Sequence, residues 1–125
     1  MHRRFQGAPT AEIRCPGGPV RVVVAEGFRL RLLGLMRLGA EEVEPLLIPR
    51  CRSIHMHGMR TPIDLAWLEV ERGQVRVLEI VGSLGPGRHA RAPKGSPRRA
   101  TGALELPPGA AERLDLTRGD ELPLT

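Results

Sequence analysis

Apolar and polar residues alternate over residues 63–71 and resume the same rhythm over residues 74–81. A period of two puts successive side chains on opposite faces of an extended chain. The first run sets Ile63, Leu65 and Trp67 on one face and Asp64, Ala66, Leu68 and Val70 on the other. The second sets Val75 and Val77 against Leu78 and Ile80, and Arg72-Gly73 joins the two. This pattern predicts a β-hairpin. Residues 20–25 (Val-Arg-Val-Val-Val-Ala) predict a further strand, because β-branched side chains dominate and nothing interrupts them. Leu46, Leu47 and Ile48, bracketed by Pro45 and Pro49, suit a short buried strand. Residues 103–106 suit another, and a tight turn at Gly119 leads into a last one.

Residues 28–38 fit both periods, since Phe28, Leu30 and Leu32 alternate while Phe28, Leu32, Leu35 and Met36 share a helical face. Leucine, arginine and methionine favour helix, so a short helix is predicted there. A second is predicted over residues 109–114, just after two prolines that a helix start tolerates. Residues 1–19, rich in glycine and proline, read as an irregular lead-in with one short strand near residues 11–14. Residues 82–102 read as a basic Gly/Pro loop in which no core can form. The expected organisation is one β-rich domain over residues 20–125. Its expected fold class is mainly β (α+β), a small barrel-like or rolled antiparallel sheet with two short helices.

Composition sharpens this picture. A chain of 125 residues with 41% hydrophobic content suggests one modest core rather than two. No apolar run approaches the ~20 residues that a membrane-spanning helix needs. Arg3 and Arg4 resemble a basic leader, but Gln6, Gly7, Pro9 and Thr10 follow where an apolar stretch should stand. The expected setting is therefore the cytoplasm, with Cys15 and Cys51 as free thiols. The net charge of +5 is unevenly spread: +5 over residues 1–37, −2 over 38–85, +5 over 86–99 and −3 over 100–125. A basic loop can meet phosphates. The only aromatic residues are Phe5, Phe28 and Trp67, too few for a base-stacking platform, which disfavours nucleic acid as a partner.

Polar chemistry concentrates between Cys51 and Asp64. In an extended strand His55 and His57 point to one face, about 7 Å apart along the chain. Both could hold one zinc or copper ion, with Cys51 or Asp64 as third ligand. The plainer alternative has the histidines satisfying a sheet edge and Cys51, Met56 and Met59 filling a core. On that alternative, which we favour, no metal and no cofactor is expected. Asp64 is open to three readings: a surface residue, a partner of Arg60, or a site carboxylate, with turn capping also open. No nucleophile elbow, phosphate loop or zinc-protease motif is present.

Three blocks carry a family resemblance. They are Gly34-Leu35-Met36-Arg37, the stretch 51–65 with Met59, Pro62, Ile63 and Asp64, and the stretch 104–114 with Glu105, Pro107, Pro108 and Gly109, followed by Gly119-Asp120. In order and spacing they resemble the domain-of-unknown-function 192 family, an uncharacterised bacterial and archaeal group. The resemblance implies a compact barrel-like fold with a short helix after the first strand, and brings no activity with it. Many members have an aromatic residue where this chain has His57 and Gly58, and many carry an export signal.

Three functions follow as expectations. The first is a small non-enzymatic binding or accessory domain, with His55, His57, Arg60, Asp64 and Cys51 around a shallow polar pocket. There Arg60 would hold a small anionic ligand. The second is a metal-assisted hydrolase built on Cys51, His55, His57 and Asp64. The third is association with nucleic acid or an anionic surface through Arg88, Arg91, Lys94, Arg98 and Arg99.

Overall fold

A computed structural model describes residues 2–125. The hairpin is its spine. Strand β5 (Ile63–Glu71) pairs antiparallel with β6 (Gln74–Leu84), with register irregularities between Ile63 and Leu65 and between Trp67 and Leu68. The second strand thus runs three residues past the predicted end, and Leu84 is buried. On its other edge β5 pairs with β8 (Thr101–Leu106), which pairs in turn with β3 (Leu46–Ile48). Beyond β3 lie β2 (Gly18–Val24), in parallel register, and β1 (Thr10–Cys15), antiparallel to it. Strand β9 (Glu121–Pro123) flanks β6. The sheet order is β1-β2-β3-β8-β5-β6-β9. An Ile13–Leu124 bridge and mutual backbone bonds between Glu12 and Thr125 tie the two ends together, so the sheet is a nearly closed barrel.

Residues 1–19 contribute more structure than their glycines and prolines suggest. All six residues of β1 pair with β2, and Phe5, in a turn of 3-10 helix over Arg3–Phe5, is buried.

Two cores exist where one was expected. Ile13, Val22, Leu47, Ala66, Leu68, Val75, Val77, Leu104, Leu106 and Leu122 fill the barrel interior, drawing on every strand of the sheet. Val23, Leu46, Ile48, Ile63, Leu65, Trp67 and Ala103 form an apolar outer face, covered by Phe5, Leu35, Leu38, Ile54 and Met56. The central strands are therefore apolar on both faces, and the alternation in the sequence separates two cores rather than core from solvent.

Helix α1 (Phe28–Leu33) is five residues shorter than the predicted span, which ran to residue 38. Gly34 ends it with φ 48° and ψ −127°, a conformation open to glycine and strained for other residues. Leu35 and Leu38 stay buried, delivered by turns instead. Helix α2 (Ala110–Arg113) lies within the predicted span 109–114, with Gly109 and Leu114 as its caps. A separate ribbon pairs β4 (Ser53–His55) with β7 (His89–Arg91). So residues 82–102 are not all loop: they hold the end of β6, all of β7 and the start of β8, where Thr101 is fully buried. No helix among the described residues is long and apolar enough to cross a membrane.

Candidate functional site

Strand β8 builds the site by its alternation. Leu104 and Leu106 point into the barrel, so Ala103 and Glu105 point to the outer face. Glu105 stands between Leu46 and Leu65 in register and is only 6% exposed. Above it, residues 31–36 and 50–59 form a roof that does not close, leaving a cavity of about 500 Å3 with Glu105 in its lining. Gly34 lies beside it: a Cβ at that position would sit 3.8 Å from Glu105 Oε1, an ordinary contact.

Two arginines hold the roof. Arg4 Nη1 donates to the carbonyls of Gly34 (2.9 Å) and Met36 (2.8 Å). Arg31 donates to the carbonyls of Pro49 and Arg50. The 36–37 and 58–59 turns meet as well: the Arg37 amide donates to Gly58 O, and the Met36 side chain lies against Gly58.

Burial raises the Glu105 carboxyl to about 7, because it removes water from the charged form. The Cys51 thiol, half-buried in the same lining, is also pushed up, first by burial, with the Glu105 charge acting the same way and the Ser53 backbone and the Arg31 charge opposing it. Together the lining offers an apolar wall of Leu35, Ile48, Ile54 and Met56, a carboxyl that is half protonated near neutrality, and a basic rim at Arg50 and Arg52.

Of the residues singled out from sequence, Cys51, His55, His57, Met36 and Met59 line this cavity. His55 ends β4, but His57 lies in the turn that follows, so the single extended strand expected to carry both is not formed. Asp64 is not with them. It is buried, and its carboxylate accepts the amides of Ser83 and Ala111, both at 3.0 Å. Of the readings left open for it, capping is the one observed, with a distant helix as the object. Arg60 is exposed, outside the cavity lining and in no ion pair among the described residues, so it does not hold Asp64. The ligand set Cys51, His55, His57 and Asp64 therefore does not come together. Among the described residues no three or more His, Cys, Asp or Glu side chains form a metal-holding group.

The other family-motif positions are architectural. Pro62 precedes β5, Gly109 adopts φ 84° at the start of α2, and Gly119 with Asp120 forms a turn in which Asp120 Oδ2 accepts the Thr117 amide at 2.9 Å. Arg37 has a positive φ of 66° at the roof turn.

The family profile DUF192, an uncharacterized ACR, matches residues 11–124, nearly the whole chain. The chain belongs to the DUF192 family. Two solved structures share its fold. One is a protein of unknown function from Novosphingobium aromaticivorans, with TM-score 0.68 and 21% identity over 96% of this chain and 87% of that one. The other is a candidate transcription regulator from Sinorhizobium meliloti, with TM-score 0.66 and 20% identity over 93% of this chain and 91% of that one. No curated protein matches. At these identities the likeness is one of fold alone. Within this DUF192 chain, sequence reasoning placed Glu105 in the family motif and assigned it no site role; it also passed over Arg4 and Arg31. The available signal was a charged residue between two leucines in a strand that carries no other charge.

Proposed function

We propose that this DUF192 protein is a small, non-enzymatic binding domain that takes a small molecule in the cavity above Glu105. One observation carries the reading: a buried carboxyl, with no hydrogen bond or ion pair among the described residues, lines an open cavity of about 500 Å3. An unpartnered buried carboxyl is costly, and a ligand donor that meets it removes the cost. The volume falls in the range of small-molecule sites, which join apolar walls to a few placed polar groups. The group that meets Glu105 is a neutral or cationic donor, an amine or an amide, with an apolar body against Leu35, Ile48 and Ile54. An anionic head at Arg60 is not supported, because Arg60 lies outside the cavity. Two free thiols, Cys15 and Cys51, support a reducing, cytoplasmic setting.

Thermal shift of the full chain against a panel of amines, amides and small acids tests this. We expect amine- or amide-bearing compounds to raise the melting temperature of the wild type and to lose that effect in Glu105→Gln. If no compound raises it, or the variant responds equally, the cavity is not the binding site.

A further inference from the structure

The ribbon of β4 and β7 carries a second constellation, which adjoins the Glu105 cavity and shares Arg52, Ser53 and His55 with its lining. Ser53 stands opposite Arg91 and His55 opposite His89. Ile54 is buried and Ala90 packs against the same core, so the alternation turns these four polar residues to the other, exposed face. The imidazole centroids of His55 and His89 are 6.0 Å apart. After β7 the chain makes a turn over residues 93–96, fixed by the amide and hydroxyl of Ser96, which both donate to Pro93 O. Ribbon face and turn enclose a cleft of about 400 Å3 whose polar lining includes Arg52, Ser53, His55, His89, Arg91 and Lys94. Among the described residues no carboxylate lines it. Among the described residues the ion pairs lie elsewhere, at His2–Glu42, Arg14–Glu12 and Arg76–Glu69.

We propose that this cleft binds a small phosphate-bearing molecule of oligophosphate size. Three fixed cations gathered in one concavity repel one another and raise the local concentration of anions. Guanidinium groups present paired N–H donors that match phosphate oxygens, and lysine adds a mobile point charge. The imidazoles and the Ser53 hydroxyl supply further donors. Among the described residues no phenylalanine, tyrosine or tryptophan lines the cleft, so a strand of bases finds no stacking surface in that lining. The site reads phosphate groups rather than nucleobases. Arg98 and Arg99, which belong to the same basic stretch, are outside its lining.

The test is calorimetric titration of the full chain with inorganic tripolyphosphate at constant ionic strength. We expect saturable binding that weakens at least about tenfold in Arg91→Gln combined with Lys94→Gln, since each substitution removes a charge-assisted contact. Both residues are exposed, so the variant keeps its core. The control Arg98→Gln with Arg99→Gln, and Glu105→Gln, should each stay within about twofold, because screening limits long-range effects. The last control separates this cleft from the Glu105 cavity. Absence of saturable binding overturns the proposal, as does equal weakening by the Arg98/Arg99 control, which would indicate diffuse attraction. Oligothymidylate binding that strengthens with length, without tripolyphosphate saturation, also overturns it in favour of nucleic acid.

Discussion

Asp64 caps a helix that begins far from it in sequence: its Oδ2 accepts the amide of Ala111, 47 positions away, at 3.0 Å in a buried setting. The first amides of short helix α2 have no intrahelical partners and Gly109 offers no side-chain cap; Ala110 donates to Pro107 O, and Asp64 takes the Ala111 amide. The other carboxylate oxygen accepts the Ser83 amide at the end of β6. One side chain on β5 thus ties the hairpin to α2. Asp64→Ala orphans both amides and should cost about 3 kcal/mol, given the usual worth of hydrogen bonds to a charged group. Asp64→Asn keeps one strong acceptor and should cost about half as much. Urea denaturation measures both; a loss in the alanine variant within experimental error would show the cap to be dispensable.

Gly58 and Met36 set the shape of the cavity roof. At Gly58, with φ 78°, a Cβ would lie 2.8 Å from Met36 Cγ and 3.0 Å from its Sδ. Gly73 has nearly the same φ, 76°, with nothing within 4 Å of its would-be Cβ. Gly73→Ala should therefore show the backbone cost alone, about 1 kcal/mol. Gly58→Ala should lose about 1 kcal/mol more, because the methionine must move or strain. Equal losses in the two variants would mean that Met36 does not pack there as described.

What the sequence made legible follows from the range of each interaction. The β5–β6 hairpin could be read because alternation and a Gly turn are local, and the strand at residues 46–48 because prolines bound it. The separate cores could not be read from composition. Whether Ala66 and Leu68 face solvent or a second core depends on which strands close the barrel, and β1 and β9 do so from opposite ends of the chain. For the same reason the sequence leaves Asp64 open between surface residue, Arg60 partner, site carboxylate and cap: its partners lie at Ser83 and Ala111, beyond any local pattern. Cys51, His55 and His57 line one cavity as neighbours in sequence, whereas Glu105 joins them only through the β3–β8–β5 register.

The two cysteines should react very differently. Cys15 is buried in the barrel interior and its thiol is raised to about 11, by burial and then by the Asp120 charge. Cys51 is raised as well but lines the cavity and is partly exposed. Thiolate is the reactive form, so access decides first and ionisation second. Iodoacetamide should label Cys51 well ahead of Cys15 in the native protein, at a rate still climbing as pH passes the ordinary thiol value of 9.0. Peptide mapping by mass spectrometry reads this directly. A compound seated above Glu105 should slow Cys51 labelling and leave Cys15 unchanged.

Glu105 should leave a signature in the pH dependence of stability. In the unfolded chain its carboxyl titrates near 4.5, and in the fold near 7. Below 4.5 both states are protonated, and the group contributes no pH dependence. Between 4.5 and about 7 the unfolded chain releases the proton while the folded chain keeps it. The folded state then binds more protons, and stability falls as pH rises through that window. Above about 7 both states are ionised and the loss levels off, at about 3 kcal/mol by the usual conversion of a pKa difference. Other carboxylates titrate in the same range, so the quantity to measure is the difference between wild type and Glu105→Gln. Urea midpoints taken at intervals from pH 4 to pH 8 should show the variant gaining on the wild type across the window and running parallel beyond it. A constant difference would mean that water or a neighbouring group already solvates this carboxyl, and the argument for a ligand donor above it would fall with that result.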